Sequence, residues 1–162
     1  MPNFLSEDNI EQAIVQRLQH LYGYDVLDCY TAEAADLNDG SGRADKREVI
    51  LRDRLKAAAV RLNPEIPETA IDDAVEQVCD QRQAMATIVA NRELDNLIRD
   101  GVRVEFKDSD GRNRKERAKL IDFEAPENND FLAVTQLWIQ STGAAAKVGY
   151  RRPDILLYVN GL

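Results

Sequence analysis

The spacing of hydrophobic positions changes once along the chain, near residue 101. Before that point apolar residues recur every three or four positions, as on one face of a helix. After it they alternate or cluster, as in strands. Ile10, Ile14, Leu18 and Leu21 share the helical spacing. Ser6 suits the cap of that helix, and Glu7 and Asp8 fall in a first turn where the helix dipole favours negative charge. Gly23 suits the left-handed residue that closes a helix. A first helix is therefore predicted over 7–22. Residues 24–30 form a short apolar stretch readable as a strand, and Asn38-Asp39-Gly40-Ser41-Gly42 is a loop by composition. A second helix is predicted over 45–62, with Leu51, Leu55, Ala58 and Leu62 on one face. Pro64 and Pro67 end it and open a third, marked by Ile71, Ala74, Val75 and Val78. A fourth, over about 83–100, turns Met85, Ile88, Leu94, Leu97 and Ile98 inward and stops at Gly101.

Beyond Gly101 the pattern is that of a sheet. Val102, Val104 and Phe106 alternate with Arg103, Glu105 and Lys107, and Asp110-Gly111 signals a hairpin turn. Residues 119–123 read as the return strand and 125–130 as a loop. Residues 131–140 (FLAVTQLWIQ) are the most apolar stretch and suit a central strand, with Trp138 in the core. Residues 141–147 form a loop of small residues. Residues 154–159 (DILLYV) read as a strand apolar on both faces, preceded by Pro153. Asn160-Gly161 is a strong signal for a two-residue hairpin turn, so a further strand is expected beyond Leu162. The expected fold class is mixed α/β. Residues 1–162 are expected to form a single, C-terminally incomplete domain, mainly helical over 1–100 and mainly strands over 101–162.

Composition narrows the class of protein. Hydrophobic residues make up 44% and charged residues 31% of 162, the balance of a folded globular chain. No apolar run approaches the ~18 residues of a membrane span, and the first residues carry no secretion-signal pattern. Cys29 and Cys79 stand apart from any Cys/His cluster and read as two reduced thiols, which places the protein in the cytoplasm. His20 has no partner motif and reads as structural or exposed. The net charge of −8 argues mildly against a nucleic-acid partner. It is unevenly distributed: residues 1–100 carry −9 and residues 101–162 carry +1. Residues 103–119 hold seven basic side chains against four acidic ones. That patch reads as a charged, solvated hairpin, although a local basic patch can contact phosphates inside an acidic chain.

Three segments carry a resemblance: Gly101-Val102-Arg103-Val104-Glu105-Phe106 through Asp110-Gly111-Arg112; residues 120–136 (LIDFEAPENNDFLAVTQ); and residues 151–162 (RRPDILLYVNGL). Together with the opening helix and its Leu21-Tyr22-Gly23-Tyr24 ending, they resemble the N-terminal region of the R (restriction) subunit of type I restriction-modification enzymes. The resemblance implies a restriction-endonuclease-like core of the PD-(D/E)xK class, with a mixed central sheet from the C-terminal strands, flanking helices, and the last core strand missing. In that family Arg-Pro-Asp opens the nuclease motif, and a Glu-x-Lys on the strand after the Asn-Gly turn completes it. Asp154 is then the catalytic and metal-binding carboxylate in this chain. Glu11, beside the apolar face of the first helix, is a candidate second metal ligand. Arg151, Arg152 and Lys147 are candidate DNA-backbone contacts, and Gln136 is a candidate site-lining residue.

The implied cofactor is Mg²⁺ in the complete domain. It is a hard cation that prefers oxygen ligands and can be held by carboxylates on neighbouring strands. The implied partners are double-stranded DNA and the modification and specificity subunits of the same complex, with no membrane. ATP is expected to serve motor domains downstream. These residues contain no Gly-x-x-x-x-Gly-Lys-Ser/Thr loop, and no ATP-binding residue is assigned here. Because no Glu-x-Lys follows Asp154, the 162 residues alone are expected to be inactive. Two alternatives stand beside this reading: a non-catalytic docking or DNA-binding module, and a truncated remnant without activity.

Overall fold

The computed structural model describes residues 6–80, 87–141 and 149–162. Its elements, in chain order, are α1 (Glu7–Tyr22), β1 (Asp25–Asp28), α2 (Arg52–Leu62), α3 (Glu68–Cys79), α4 (Thr87–Asp100), β2 (Val102–Lys107), β3 (Asn113–Ala118), β4 (Phe131–Thr135), β5 (Ile139–Gln140), β6 (Tyr150–Arg151) and β7 (Ile155–Val159). A short 3₁₀ turn covers Pro126–Asn128. The architecture is mixed α/β. The chain divides into two compact units, residues 1–49 with 130–159 and residues 50–129 with 160–162.

The first unit is built on a three-stranded sheet in the order β1-β4-β7. β1 runs parallel to β4 and β7 antiparallel to it, so the sheet is mixed. β4 is flanked on both sides, and its Leu132, Ala133, Val134 and Thr135 are all buried. This explains its unbroken apolar sequence, since a strand enclosed by others on both sides need not alternate. The apolar stretch 131–140 is not one strand. It breaks at Gln136, which takes a left-handed backbone (φ 58°), and resumes as β5 paired with β6. A left-handed non-glycine residue cannot continue a ladder and re-aims the chain. α1 has the predicted bounds. The Ser6 hydroxyl accepts the Asn9 N–H at 3.3 Å, and Gly23 closes the helix at φ 71°. Its stripe is less covered than the spacing suggests, with Ile10, Ile14 and Leu21 all exposed. Along β7, Tyr158 is buried but Leu157 is 53% exposed, so its two faces are unequal. Trp138, expected in the core, is half-buried.

The second unit packs α2 and α3 with the β2–β3 hairpin. Leu55, Ile71, Val78, Val102 and Leu120 form the centre of its core, and Leu94, Leu97, Phe106 and Leu162 pack against it. Each large apolar side chain buried there stabilises the fold by about 1.5–3 kcal/mol. Three expectations need correction. The second helix begins at Arg52 rather than at residue 45. Residues 45–51 use their polar groups otherwise: the Arg47 N–H donates to the Asp45 carboxylate, the Glu48 N–H to the Asp45 carbonyl, and the Leu51 N–H to the Gly161 carbonyl. The return strand is 113–118 rather than 119–123. The Asp108 carboxylate accepts the Asp110 and Arg112 N–H groups, which tightens the turn and brings the pairing forward. β3 (NRKERA) is exposed except at Ala118, so it carries no alternation to read. Ile88, expected inside, is 72% exposed. Met85 lies outside the described residues.

Asn160 and Gly161 have φ of 55° and 84°, the pair of left-handed residues that a type I′ turn requires. Asn160 is fully buried. Its side-chain amide donates to the Leu120 carbonyl and the Asn129 side-chain oxygen, both at 2.8 Å. A Cβ on Gly161 would lie 2.6 Å from the Leu51 carbonyl oxygen, so only glycine fits there.

Candidate functional site

The site is assembled at one end of the first unit's sheet. Thr135, the last residue of β4, pairs with Asp28 of β1 on one side and with Ile155 of β7 on the other. The next residue, Gln136, turns away in its left-handed conformation, and its N–H donates to the Asp154 carbonyl at 3.4 Å. Its side-chain amide donates to both carboxylate oxygens of Glu11, at 3.1 and 3.3 Å. Gln136 therefore joins α1, which carries Glu11, to the segment carrying Asp154. Asp154 is exposed and stands one position before β7 begins. Its carboxylate has no hydrogen-bond or ion-pair partner among the described residues.

Of the basic candidates, Arg151 ends β6 and is exposed. Arg152 is exposed too, with its guanidinium carbon 5.0 Å from the centroid of the Trp138 ring. Lys147 lies outside the described residues.

A cation such as Mg²⁺ takes oxygen ligands, keeps several waters, and is bound through one or two carboxylates. The donors here have that chemistry: one carboxylate without a partner, and a second oriented by an amide. Among the described residues no group of three or more acidic, histidine or cysteine side chains is placed to hold a metal. The residues present fit a hard cation as part of its ligand set.

The family model for the type I restriction enzyme R protein N terminus matches residues 4–162. The chain belongs to that family. It is 38% identical over 164 residues to the type I restriction enzyme HindI endonuclease subunit of Haemophilus influenzae, an alignment covering 98% of this chain and 14% of the relative. It is 29% identical over 160 residues to the "Putative type I restriction enzyme MjaIXP endonuclease subunit" of Methanocaldococcus jannaschii, with the same coverage of 98% and 14%. The chain thus spans about one seventh of the length of these relatives and is the N-terminal region of a type I R subunit. The mixed α/β fold, with its mixed sheet, is compatible with a restriction-endonuclease-like N-terminal domain.

Sequence reasoning passed over a second ionic cluster in this R-subunit region. Asp39, Arg43 and Lys46 have side chains 0%, 1% and 3% exposed. One Asp39 oxygen accepts from Arg43 at 3.0 Å and from Lys46 at 2.8 Å, while the other accepts the Ser41 N–H and hydroxyl. Arg43 also donates to the Glu48 and Trp138 carbonyls. Burial alone would push the Asp39 carboxyl up. The hydrogen bonds from Lys46, Ser41 and Arg43 outweigh it and hold the group well below the usual carboxylate range. The nearby Cys29 thiol is pushed up to about 11, by burial first and then by the Asp39 charge. Asp39 and Lys46 were hidden because one lies in a Gly/Ser stretch that reads as loop and the other in a charged run that reads as a solvated helix face. Asp28 was also passed over. It is exposed at the same sheet end as Asp154, and one of its carboxylate oxygens accepts the Thr135 hydroxyl at 3.2 Å and the Tyr30 N–H at 3.1 Å.

Proposed function

We propose that this region supplies part of a Mg²⁺-dependent phosphodiester hydrolysis site to the DNA-cleaving subunit of an ATP-dependent type I restriction system. The observation that carries this reading is Gln136. It breaks the central strand and thereby ties the Glu11 carboxylate to the segment bearing the open Asp154 carboxylate. On this reading Asp154 is a direct metal ligand and Glu11 a second one, with Gln136 fixing the orientation of Glu11. Such outer partners of ligating groups are functionally important in their own right. Mg²⁺ bound there would clamp a scissile-phosphate oxygen and lower the pKa of a water. The Asp154 and Glu11 charges would offset the ion, and Arg151, Arg152 and Lys147 would meet the DNA backbone, which positions the duplex without reading its sequence. The resemblance implies that a Glu-x-Lys on the strand after the Asn160-Gly161 turn completes the set in the full-length subunit. ATP acts at motor domains elsewhere in the subunit, and the modification and specificity subunits are its partners.

The test is Asp154→Ala in the full-length subunit, assembled in its complex. Cleavage is expected to be abolished while ATP hydrolysis stays close to wild type, because the motor lies elsewhere. Undiminished cleavage in a folded Asp154→Ala enzyme, or ATPase activity lost in parallel with cleavage, would contradict the proposal.

A further inference from the structure

We propose that Trp138 is the platform that holds Arg152 as a phosphate-gripping fork two residues before Asp154, and that the buried Asp39–Arg43 pair fixes Trp138 for that task. The inference rests on the DNA-cleaving reading above and extends it to how the duplex backbone is gripped.

Arg152 is exposed, and its guanidinium lies over the Trp138 ring at 5.0 Å from the centroid. Among the described residues no carboxylate lies within ion-pair distance of it. Within the described residues, a chain of net charge −8 thus leaves this cation without an acidic partner beside its candidate catalytic residue. A guanidinium held over an aromatic face by a cation–π contact keeps its N–H groups free to donate. Its planar fork matches two phosphate oxygens at once, which an ammonium cannot do. The contact with the ring also limits the rotamers of a long side chain, so less freedom is lost when phosphate arrives.

Trp138 is suited to be such a platform because it is held by its own polar groups. Its indole N–H donates to the Thr31 carbonyl at 3.4 Å, and its carbonyl accepts from Arg43 at 2.9 Å. Arg43 is in turn locked by Asp39 inside a cluster from which water is excluded. The neighbouring pairing of Ile139 with Arg151 holds the Trp138 side of the ribbon against the strand that leads to Arg152. A continuous series of contacts therefore runs from a sealed ionic cluster, through an aromatic ring, to an exposed cation. Arg152 is the contacting residue; Trp138, Arg43 and Asp39 are positioning residues. A functional side chain is placed well only when the groups beneath it are themselves locked.

The experiment uses the full-length subunit in its complex and measures cleavage kcat/KM across a salt series, with the melting temperature of each variant. Arg152→Ala is expected to lower the slope of log kcat/KM against log salt by about 1, the loss of one phosphate contact. Trp138→Leu is expected to reduce kcat/KM about two- to fivefold, the size of a cation–π contact at an exposed site. Trp138→Phe, which keeps a ring, is expected to restore most of that loss. Placed on the Arg152→Ala background, Trp138→Leu is expected to add nothing further. An unchanged salt slope in Arg152→Ala would overturn the phosphate contact. The same loss from Trp138→Leu with or without Arg152 would show that the ring acts only on the fold, and would overturn the platform. Asp154→Ala run alongside separates the two levels. If it abolishes cleavage while Arg152→Ala is silent, the nuclease reading stands and this inference falls. If it cleaves normally, the reading beneath the inference fails.

Discussion

The first unit holds carboxylates in two contrasting settings, one paired with buried cations and one not. Asp39, Arg43 and Lys46 are almost wholly removed from water, and both Asp39 oxygens are engaged by protein donors. Among the described residues Glu11 meets only the neutral Gln136 amide, and the exposed Asp154 carboxylate meets no partner. A carboxylate whose lone pairs are taken by protein can stabilise a fold but has nothing left for a ligand. One whose lone pairs stay open adds little to stability and can accept an ion. On the proposed reading, what separates the candidate site from the buried cluster is how far the protein has already satisfied each carboxylate, not its charge.

The largest effect that separates the two settings is on stability. Asp39→Ala strands two buried cations, and removing one partner of a buried ion pair costs about 3–5 kcal/mol. Asp154→Ala, at an exposed position with no partner, should stay within about 0.5 kcal/mol of wild type. Urea denaturation of both variants checks this, and equal losses would dissolve the distinction. A smaller effect is expected at the amide between the two carboxylates. Gln136→Leu should lower cleavage by the full-length subunit about tenfold, the usual scale for a group that orients a ligand. An unchanged rate would remove Gln136 from the site.

The pH dependence of stability follows from the direction of the Asp39 shift. Its folded-state pKa lies below its unfolded value of about 3.9. Its stabilising contribution is therefore fully present above pH ~4 and is lost as pH falls through the folded value. The stability gap between wild type and Asp39→Asn should hold constant from neutral pH to about 4 and close below it. A gap that closed between pH 7 and 5 would show that another group governs the cluster. The smallest expected effect concerns Cys29. A buried thiol pushed up to about 11 should react with iodoacetamide at pH 8 far more slowly than a free cysteine in a peptide, because the thiolate is the reactive form. Labelling at the free-peptide rate would place Cys29 in contact with water.

What the sequence disclosed follows the same division. α1 was legible to its ends because Ser6, Glu7 and Gly23 act locally, each on the turn beside it. The central strand was legible as far as Thr135, because a strand with neighbours on both sides is apolar throughout, but its end at Gln136 was not. The start of α2 was not, because Asp45-Lys46-Arg47-Glu48 has helical character and Lys46 is drawn instead into a buried contact with Asp39, seven residues away. β3 was misplaced because a turn tightened by Asp108 sets its register and its own residues are almost all exposed. At the candidate site, Asp154 could be named from the segment around it. The bond between Glu11 and Gln136 spans 125 positions, and its geometry depends on a left-handed glutamine that no local signal announces.

On the proposed reading, Asp154 and the amide-oriented Glu11 share a divalent ion. The most direct test of that sharing is DNA cleavage by the full-length subunit as a function of Mg²⁺ concentration, in wild type and in Glu11→Gln. A neutral amide keeps the size of the side chain and removes one ligand charge. The half-maximal Mg²⁺ concentration should therefore rise about tenfold or more, with activity recovering at high Mg²⁺ and the melting temperature unchanged. Superimposable Mg²⁺ curves for the two enzymes would contradict the claim and return Glu11 to an ordinary position on a helix.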